Sequence, residues 1–505
     1  MSPHHPLEAE LAMQDADCSS GDDSGIGIFK FFEGKNIFIT GATGLVGKAL
    51  VEKLLRSTSV GKLYLLVKAN DKEAALERLS KEIIHSALFQ SVREKYGTSY
   101  EEFVREKLIP VVGNICEPNL GMDAYYAHTI MEEVDVIVES AASTNLHDRY
   151  DFLLAANVNA PQRLMRFAKT CKNLKLFVHI STAYVNGRRE GIIFEKPLTM
   201  GENGRKENDE MSSSFFPRLD LTDEINLVMK SCIASTEYDM VKDLKRLGLE
   251  RAAFYGWYNT YHLTKAMGEM VLNEIRGEVP VLIIRPSVIE SSYKEQFLDG
   301  YKEIGLLPAY LADPNAHMDI VPVDMMANTT IAAIAKHGII NKAELNVYHV
   351  ATDFVNPLQY SNFFEYIYEY FSANPVADLG SITRMKFFKE FSDFSKYIRD
   401  ELRERNGLLI NAPPGLNGMT LQKLQKQYKA KVAYAEQLCK MYEFVGFWKA
   451  RFHTGNTQKL LEEMSEEEQA CFEVDARKID WRKYFFEIHI PGFRKHVLDD
   501  TKVSI

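Results

Sequence analysis

The chain has 505 residues, and at about 150 residues per domain that gives roughly three units, although large α/β units make two an equal reading. Hydrophobic residues are 46% and charged residues 26% of the total, values that exclude global disorder and a fibrous repeat. A net charge of −10 argues against a nucleic-acid binder, and no run of 18 apolar residues offers a membrane span, which leaves only peripheral membrane contact open.

The six cysteines, Cys18, Cys116, Cys171, Cys232, Cys439 and Cys471, stand singly, with no Cys-x-x-Cys and no local Cys/His cluster. Neither a metal site nor a disulfide framework is expected, and the chain reads as intracellular. Residues 1–33 carry seven acidic side chains against Lys30 and are rich in Ser and Gly. Such a stretch buries too little apolar surface to offset its ordering entropy, so a disordered acidic tail is expected. It lacks the marks of a secretory signal, and it is too acidic for a typical organelle transit peptide.

From Gly34 apolar strands alternate with helices. Strands are expected at 35–40, 63–67, 108–112, 134–138, 174–180 and 281–284, with a helix from about 71 to 88 and helical runs between the others. Continuous apolar strands separated by helices indicate a parallel sheet covered on both faces. The expected fold is α/β, a doubly wound parallel Rossmann-type sheet with insertions, followed by a mainly helical C-terminal domain.

The first strand runs into Gly41-Ala42-Thr43-Gly44-Leu45-Val46-Gly47 and then a helix. Gly41 suits the tight turn, while Gly44 and Gly47 allow close approach of a pyrophosphate and of helix to sheet. The helix start offers unpaired N–H groups to the phosphates. The spacing is not a Walker A loop, because Lys48 is followed by Ala49 where a magnesium-binding hydroxyl would stand. The second strand ends Val67-Lys68-Ala69-Asn70, with Asp71 expected as a helix cap. A basic residue at that strand end suits the 2′-phosphate of NADP, an acidic one the 2′-hydroxyl of NAD, so Lys68 favours NADPH.

Three Tyr-x-x-x-Lys matches occur among 24 tyrosines. Tyr64/Lys68 lies on a strand, where the two side chains are far apart. Tyr238/Lys242 lies in a charged stretch. Tyr261/Lys265 opens a helix that leads into the 281–284 strand, and residues i and i+4 of a helix share a face. A tyrosine so placed can act as general acid to a carbonyl oxygen, and a neighbouring ammonium favours its phenolate. The 174–180 strand ends in Ser181-Thr182, both candidates for polarising that oxygen.

These segments resemble the extended short-chain dehydrogenase/reductases and, more narrowly, the alcohol-forming fatty acyl reductases of plants in the male-sterility-associated branch. The resemblance rests on Thr40 to Gly47, His179-Ile180-Ser181-Thr182-Ala183-Tyr184-Val185-Asn186-Gly187, Tyr261-His262-Leu263-Thr264-Lys265 and Arg285-Pro286-Ser287. Ala141-Ala142-Ser143-Thr144-Asn145, Asp319-Ile320-Val321-Pro322-Val323-Asp324 and Ile479-Asp480-Trp481 extend it over about residues 25–495. It implies NADPH-dependent reduction of a long-chain acyl thioester, on CoA or acyl carrier protein, through an aldehyde to a primary alcohol for wax, suberin or pollen-wall lipid. By motif position it assigns catalysis to Thr182, Tyr261 and Lys265. Taken with the strand-end position of Lys68, the expected cofactor contacts are Gly41, Thr43, Gly44, Leu45, Val46, Gly47, Lys68, Ala141 and Ser181, together with Tyr261 and Lys265. The branch implies a plastid location, with the cytosol or the endoplasmic reticulum surface as alternatives. Lys294-Glu295-Gln296-Phe297-Leu298-Asp299-Gly300 departs from the family pattern, and Ala312-Asp313-Pro314 follows early, a shortening that bears on chain-length preference.

Rival readings are another extended short-chain reductase or epimerase, which would lack the helical C-terminal domain, and a non-catalytic NADPH-binding protein. The 78 residues between Thr182 and Tyr261 read as a lid, a carrier-docking surface or a passive insertion, with helices over 221–229 and 240–249. The expected division is a tail to 33, a reductase core over 34–375, a linker over 376–420 and a helical domain over 421–505. In that last domain Asn456-Thr457 is expected to cap a helix, and Phe444, Phe447, Trp448, Phe452, Tyr484, Phe485 and Phe486 are expected to pack a core, line an acyl tunnel or face a membrane.

Overall fold

A computed structural model describes residues 25–146, 148–205, 218–234, 237–293, 309–375, 383–405 and 418–494. The departing segment at 294–300, the Asn411–Gly415 break, residues 206–210 of the polar insertion and the first 24 residues of the acidic tail lie outside them.

Seven parallel strands form the central sheet: β1 Ile37–Thr40, β2 Leu63–Val67, β3 Leu108–Val112, β4 Val136–Glu139, β5 Leu176–Ile180, β6 Val281–Pro286 and β7 Leu345–Val350. Their order across the sheet is β7-β6-β5-β4-β1-β2-β3. The chain winds outward from β1 to β3 and then returns to the other side of β1 at β4. That reversal opens a crevice at the carboxyl ends of β1 and β4, where doubly wound sheets take their ligands.

The strands are apolar on both faces because helices cover both. One face carries Ile37, Ile39, Val136, Val178 and Ile284, in the same core as helix α1 Leu45–Ser57 and as Ile331 and Ile334 of a later helix. The opposite face carries Phe38, Ile137, Phe177 and Ile283, in one core with Leu272 of helix α2 Thr260–Ile275. Along that second face Thr40 pairs with Glu139 and Glu139 with His179, so three polar side chains are aligned at the carboxyl end of the sheet. The later helix, α3 Val323–Ile340, packs against α1.

Several expectations are corrected. The acidic tail was expected to run to residue 33, yet Ile28–Phe32 is a helix with Ile28, Phe31 and Phe32 buried. A five-residue apolar run is enough here because the Glu468 carboxylate accepts the N–H groups of Ile26, Gly27 and Ile28 at 2.9, 2.8 and 2.7 Å. The helix expected over 71–88 is broken: Lys72–Leu79 is α-helical, then Ser80–Ile84 forms a π-turn and Ala87–Phe89 a tighter one. Asp71 caps its start, accepting from the Ala74 N–H at 2.8 Å. Within the expected linker, Lys386–Phe388 is a strand paired with Ala309–Leu311, and Phe391–Arg405 is a helix. Phe394 and Ile398 of that helix pack on Ala435 and Cys439 of the long helix α4 Gly418–Gly446.

The insertion does form two helices, Leu221–Ala234 and Glu237–Tyr255. The C-terminal segment folds back on the core, with Ala450–Phe452 pairing with Gly191–Ile193. The helix Gly455–Glu463 begins after Thr454, not after Asn456. Asn456 Nδ2 and Thr457 Oγ1 donate instead to the β7 carbonyls of Val347 and His349 at 2.8 and 2.9 Å, which ties this helix to the sheet.

Candidate active site

The crevice is built first by glycine. Gly41 follows β1 with φ +73°, and a Cβ there would lie 2.6 Å from the Ala141 backbone nitrogen. A Cβ at Gly47 would lie 2.2 Å from the Gly41 carbonyl oxygen, so α1 can approach the turn this closely only without a side chain. Gly44 caps α1 without a side-chain hydrogen bond, and no acidic residue stands in the first turn. Among the described residues no acceptor takes the N–H groups of Leu45, Val46 and Gly47, whereas Lys48 already donates to Gly44. Three free donors at a helix start beside a tight glycine turn fit a dinucleotide pyrophosphate.

Thr40 Oγ1 accepts from Ala141 N–H at 3.2 Å, which sets the loop after β4 over the end of β1. Asn157, unremarked in the sequence, holds that loop. Its amide exchanges two 3.0 Å bonds with the Ser143 backbone and donates to Thr264 Oγ1 at 3.1 Å.

Lys68 is exposed at the end of β2. Beside it stands a second cation that sequence reading missed. Arg78 donates from Nη1 to the Lys68 carbonyl at 3.0 Å and from Nη2 to Thr43 Oγ1 at 3.2 Å, while its Nε meets Glu82 at 2.7 Å. A basic residue ten positions on carries no motif; only the fold returns it to the glycine turn.

At the other side of the crevice β5 delivers Ser181 and Thr182, both buried. Ser181 Oγ has no partner among the described residues, so this buried hydroxyl is available to a bound group. Thr182 caps the short turn Ala183–Asn186, and its oxygen accepts weakly from Tyr184 N–H at 3.4 Å, so the hydroxyl proton is left to donate. Helix α2 packs on this turn. Asn259 caps α2 by accepting from His262 N–H at 2.8 Å, which sets Tyr261 in the first turn and Lys265 one turn below it.

Lys265 is buried and anchored: Nζ donates to the Ile180 carbonyl at 2.7 Å and lies 3.3 Å from His179 Nε2. Burial lowers its pKa, opposed by the negative charges of Glu139 and Glu269. Burial raises the Tyr261 phenol, so the protein alone keeps it protonated, a proton donor, and the lowering expected from Lys265 is not seen. Of the other two matches, Tyr64 donates to Glu133 at 2.6 Å, away from the crevice, and Tyr238/Lys242 lies on the insertion helix.

The C-terminal segment walls the site. His262, next to Tyr261, stacks on Tyr184 at 5.3 Å and meets Phe444 edge-on at 5.2 Å. Tyr184 in turn touches Trp448 and Phe452 at 5.1 and 5.5 Å. Tyr184, Val288, Tyr310, Asp319 and Trp448 line a narrow cleft beside this wall. Tyr484 and Phe485 belong to the main core instead. No helix among the described residues is long and apolar enough to cross a membrane.

Two family models, both described as male sterility protein, match residues 39–330, as its NAD-binding part, and 416–500. Among similar curated proteins, "Fatty acyl-CoA reductase 2, chloroplastic" of Arabidopsis thaliana is 43% identical over 499 residues, covering 95% of this chain and 80% of its own. "Alcohol-forming fatty acyl-CoA reductase" of Simmondsia chinensis is 35% identical over 94% of this chain and 99% of its own. Among solved structures, the terminal R domain of the myxalamid PKS-NRPS pathway superposes with a TM-score of 0.55 at 15% identity, covering 97% of this chain and 98% of that one. The reductase domain of a non-ribosomal peptide synthetase from Mycobacterium tuberculosis gives 0.53 at 19% identity, covering 94% and 98%. These two support the fold alone.

Proposed function

Because the chain belongs to the male sterility protein family of fatty acyl-CoA reductases, we propose that it reduces a long-chain fatty acyl thioester to the primary alcohol through an aldehyde, with NADPH. The observation that carries this reading is the anchoring of Lys265 on the Ile180 carbonyl. It sets the Tyr261/Lys265 pair beside the strand end that bears Ser181 and Thr182.

The donors fit the cofactor. The Leu45, Val46 and Gly47 N–H groups would hold the pyrophosphate, Lys68 and Arg78 the 2′-phosphate, and Ser181 and Lys265 the nicotinamide half. Bound there, NADPH would supply hydride. The chain supplies the rest. Tyr261 hands its proton to the substrate oxygen as negative charge develops there, and Thr182 donates a hydrogen bond to the same oxygen. Reduction of the thioester carbonyl gives a hemithioacetal, which collapses to aldehyde and free thiol. Reduction of the aldehyde gives the alcohol. Both steps place charge on one oxygen, so one acid serves both, and no cysteine nucleophile is needed. Lys265, an ammonium one turn below, stabilises the phenolate left behind until the proton is replaced.

The acyl chain would run from this oxygen toward the aromatic wall of Tyr184 and Trp448. The thioester carrier is CoA or acyl carrier protein. The name of the 43% identical relative supports a plastid setting, and the branch supports a role in wax, suberin or pollen-wall lipid. Incubation of the purified protein with stearoyl-CoA and either NADPH or NADH, followed by extraction, tests the reading. Alcohol formed with NADPH and much less with NADH is expected. Absence of both aldehyde and alcohol would overturn it.

A further inference from the structure

Behind Lys265 lies a buried pair that the reaction as described does not use. His179 on β5 and Glu139 on β4 are neighbours in register, and both are buried. A short hydrogen bond joins His179 Nδ1 to Glu139 Oε2, and His179 Nε2 lies 3.3 Å from Lys265 Nζ. An ammonium can only donate, so Nε2 must offer its lone pair, and the ring proton therefore sits on Nδ1 and is given to Glu139. The other acid near Lys265 is already engaged, since Glu269 is taken by Arg285 at 2.6 Å. Glu139 is thus the free counter-charge, reached through the ring. Ile180 O and His179 Nε2 occupy two of the three ammonium protons, which leaves one for a ligand.

We propose that His179 and Glu139 are positioning residues of the reductase site: Glu139 holds the imidazole in its Nδ1–H tautomer, and the imidazole holds the Lys265 ammonium charged and fixed one turn below Tyr261. The inference rests on the reading of Tyr261 and Lys265 given above. It also explains why a carboxylate and an imidazole are buried side by side at the carboxyl end of this face: burial of Glu139 is compensated by the hydrogen bond it accepts and by the nearby ammonium.

The test uses the full chain and three variants, His179→Leu, His179→Gln and Glu139→Gln, with aldehyde and NADPH as substrates. His179→Leu removes the acceptor and should lower kcat by about 100-fold with little change in the aldehyde KM. His179→Gln returns an acceptor oxygen near the Nε2 position and should restore most of that loss, which a merely space-filling role would not produce. Glu139→Gln should move the alkaline limb of kcat to lower pH. The groups facing Lys265 are Glu269 on its own helix, Glu139 on β4 and His179 on β5, with Arg285 on β6 acting through Glu269. Removing the Glu139 charge removes one of the two that raise the Lys265 pKa, so the ammonium is lost at lower pH.

Equal activity in the Gln and Leu variants at position 179, or kcat within twofold of wild type in both, would overturn the proposal. So would an alkaline limb unmoved by Glu139→Gln, which decides the matter alone if His179→Leu does not fold. Failure of the wild-type protein to reduce either thioester or aldehyde would instead sink the reductase reading itself, and is seen before any variant is made.

Discussion

Arg285 and Glu269 form an ion pair with neither side chain exposed: Nη2 donates to Oε2 at 2.6 Å and Nε to Oε1 at 3.0 Å. The pair joins β6 to α2 one helical turn beyond Lys265, so the helix that carries Tyr261 is fixed to the sheet by charge as well as by packing.

Breaking that pair should be costly. Glu269→Ala leaves the Arg285 guanidinium buried and uncompensated, with Nη1 already lacking a partner among the described residues. A loss of about 3–5 kcal/mol in chemical denaturation is expected. Replacing both members, Glu269→Leu with Arg285→Met, should cost clearly less than Glu269→Ala alone. Equal losses would mean that the charge pair does not govern the stability of this contact.

Cofactor choice should depend on two cations. Lys68→Glu and Arg78→Ala should each weaken NADPH binding roughly tenfold or more, read by fluorescence titration, while NADH binding changes little. The reasoning is that Lys68 stands at the β2 end and Arg78 spans from the Lys68 carbonyl to Thr43. Parallel losses for both dinucleotides would show that neither residue reads the 2′-phosphate.

How much of this was legible beforehand depended on distance along the chain. The glycine turn, the Tyr261/Lys265 pair and the Asp71 cap are local patterns, and the fold keeps each where its spacing indicates. Arg78, Asn157 and the Glu139–His179 pair act through contacts between segments, which no spacing encodes. His179 sits within the motif that ends β5, yet nothing local says that it touches Lys265. The tail ends earlier than its composition implies because the average hides Ile28, Phe31 and Phe32, whose helix start is held by Glu468 some 440 residues away.

Stability should fall as pH rises through neutrality, partly because of Glu195. Burial pushes its carboxyl up to about 7, against the hydrogen bonds it accepts from the His349 and Asn456 N–H groups. A folded-state pKa above the unfolded one contributes stability that is present in acid and lost as pH rises through about 7. Glu195→Gln removes the ionisable group together with one of the two acceptor oxygens, so its melting temperature relative to wild type should rise between pH 5 and pH 8. Comparing variant with wild type at each pH cancels the buried histidines His262 and His349, whose pKa values burial lowers to about 3 and whose contribution is lost on the acid side. A difference between variant and wild type that does not change from pH 5 to pH 8 would contradict this.

The central claim is that one phenol protonates the substrate oxygen in both reductions. Tyr261→Phe keeps the ring between His262 and the α2 start and removes only the hydroxyl. NADPH oxidation by this variant, followed with stearoyl-CoA and separately with the corresponding aldehyde, measures the two steps in one assay. The account predicts that both rates fall together by about 10²–10⁴ while NADPH still binds. Near-normal aldehyde reduction with impaired thioester reduction would contradict a single shared acid, and near-normal rates with both substrates would remove Tyr261 from the reaction.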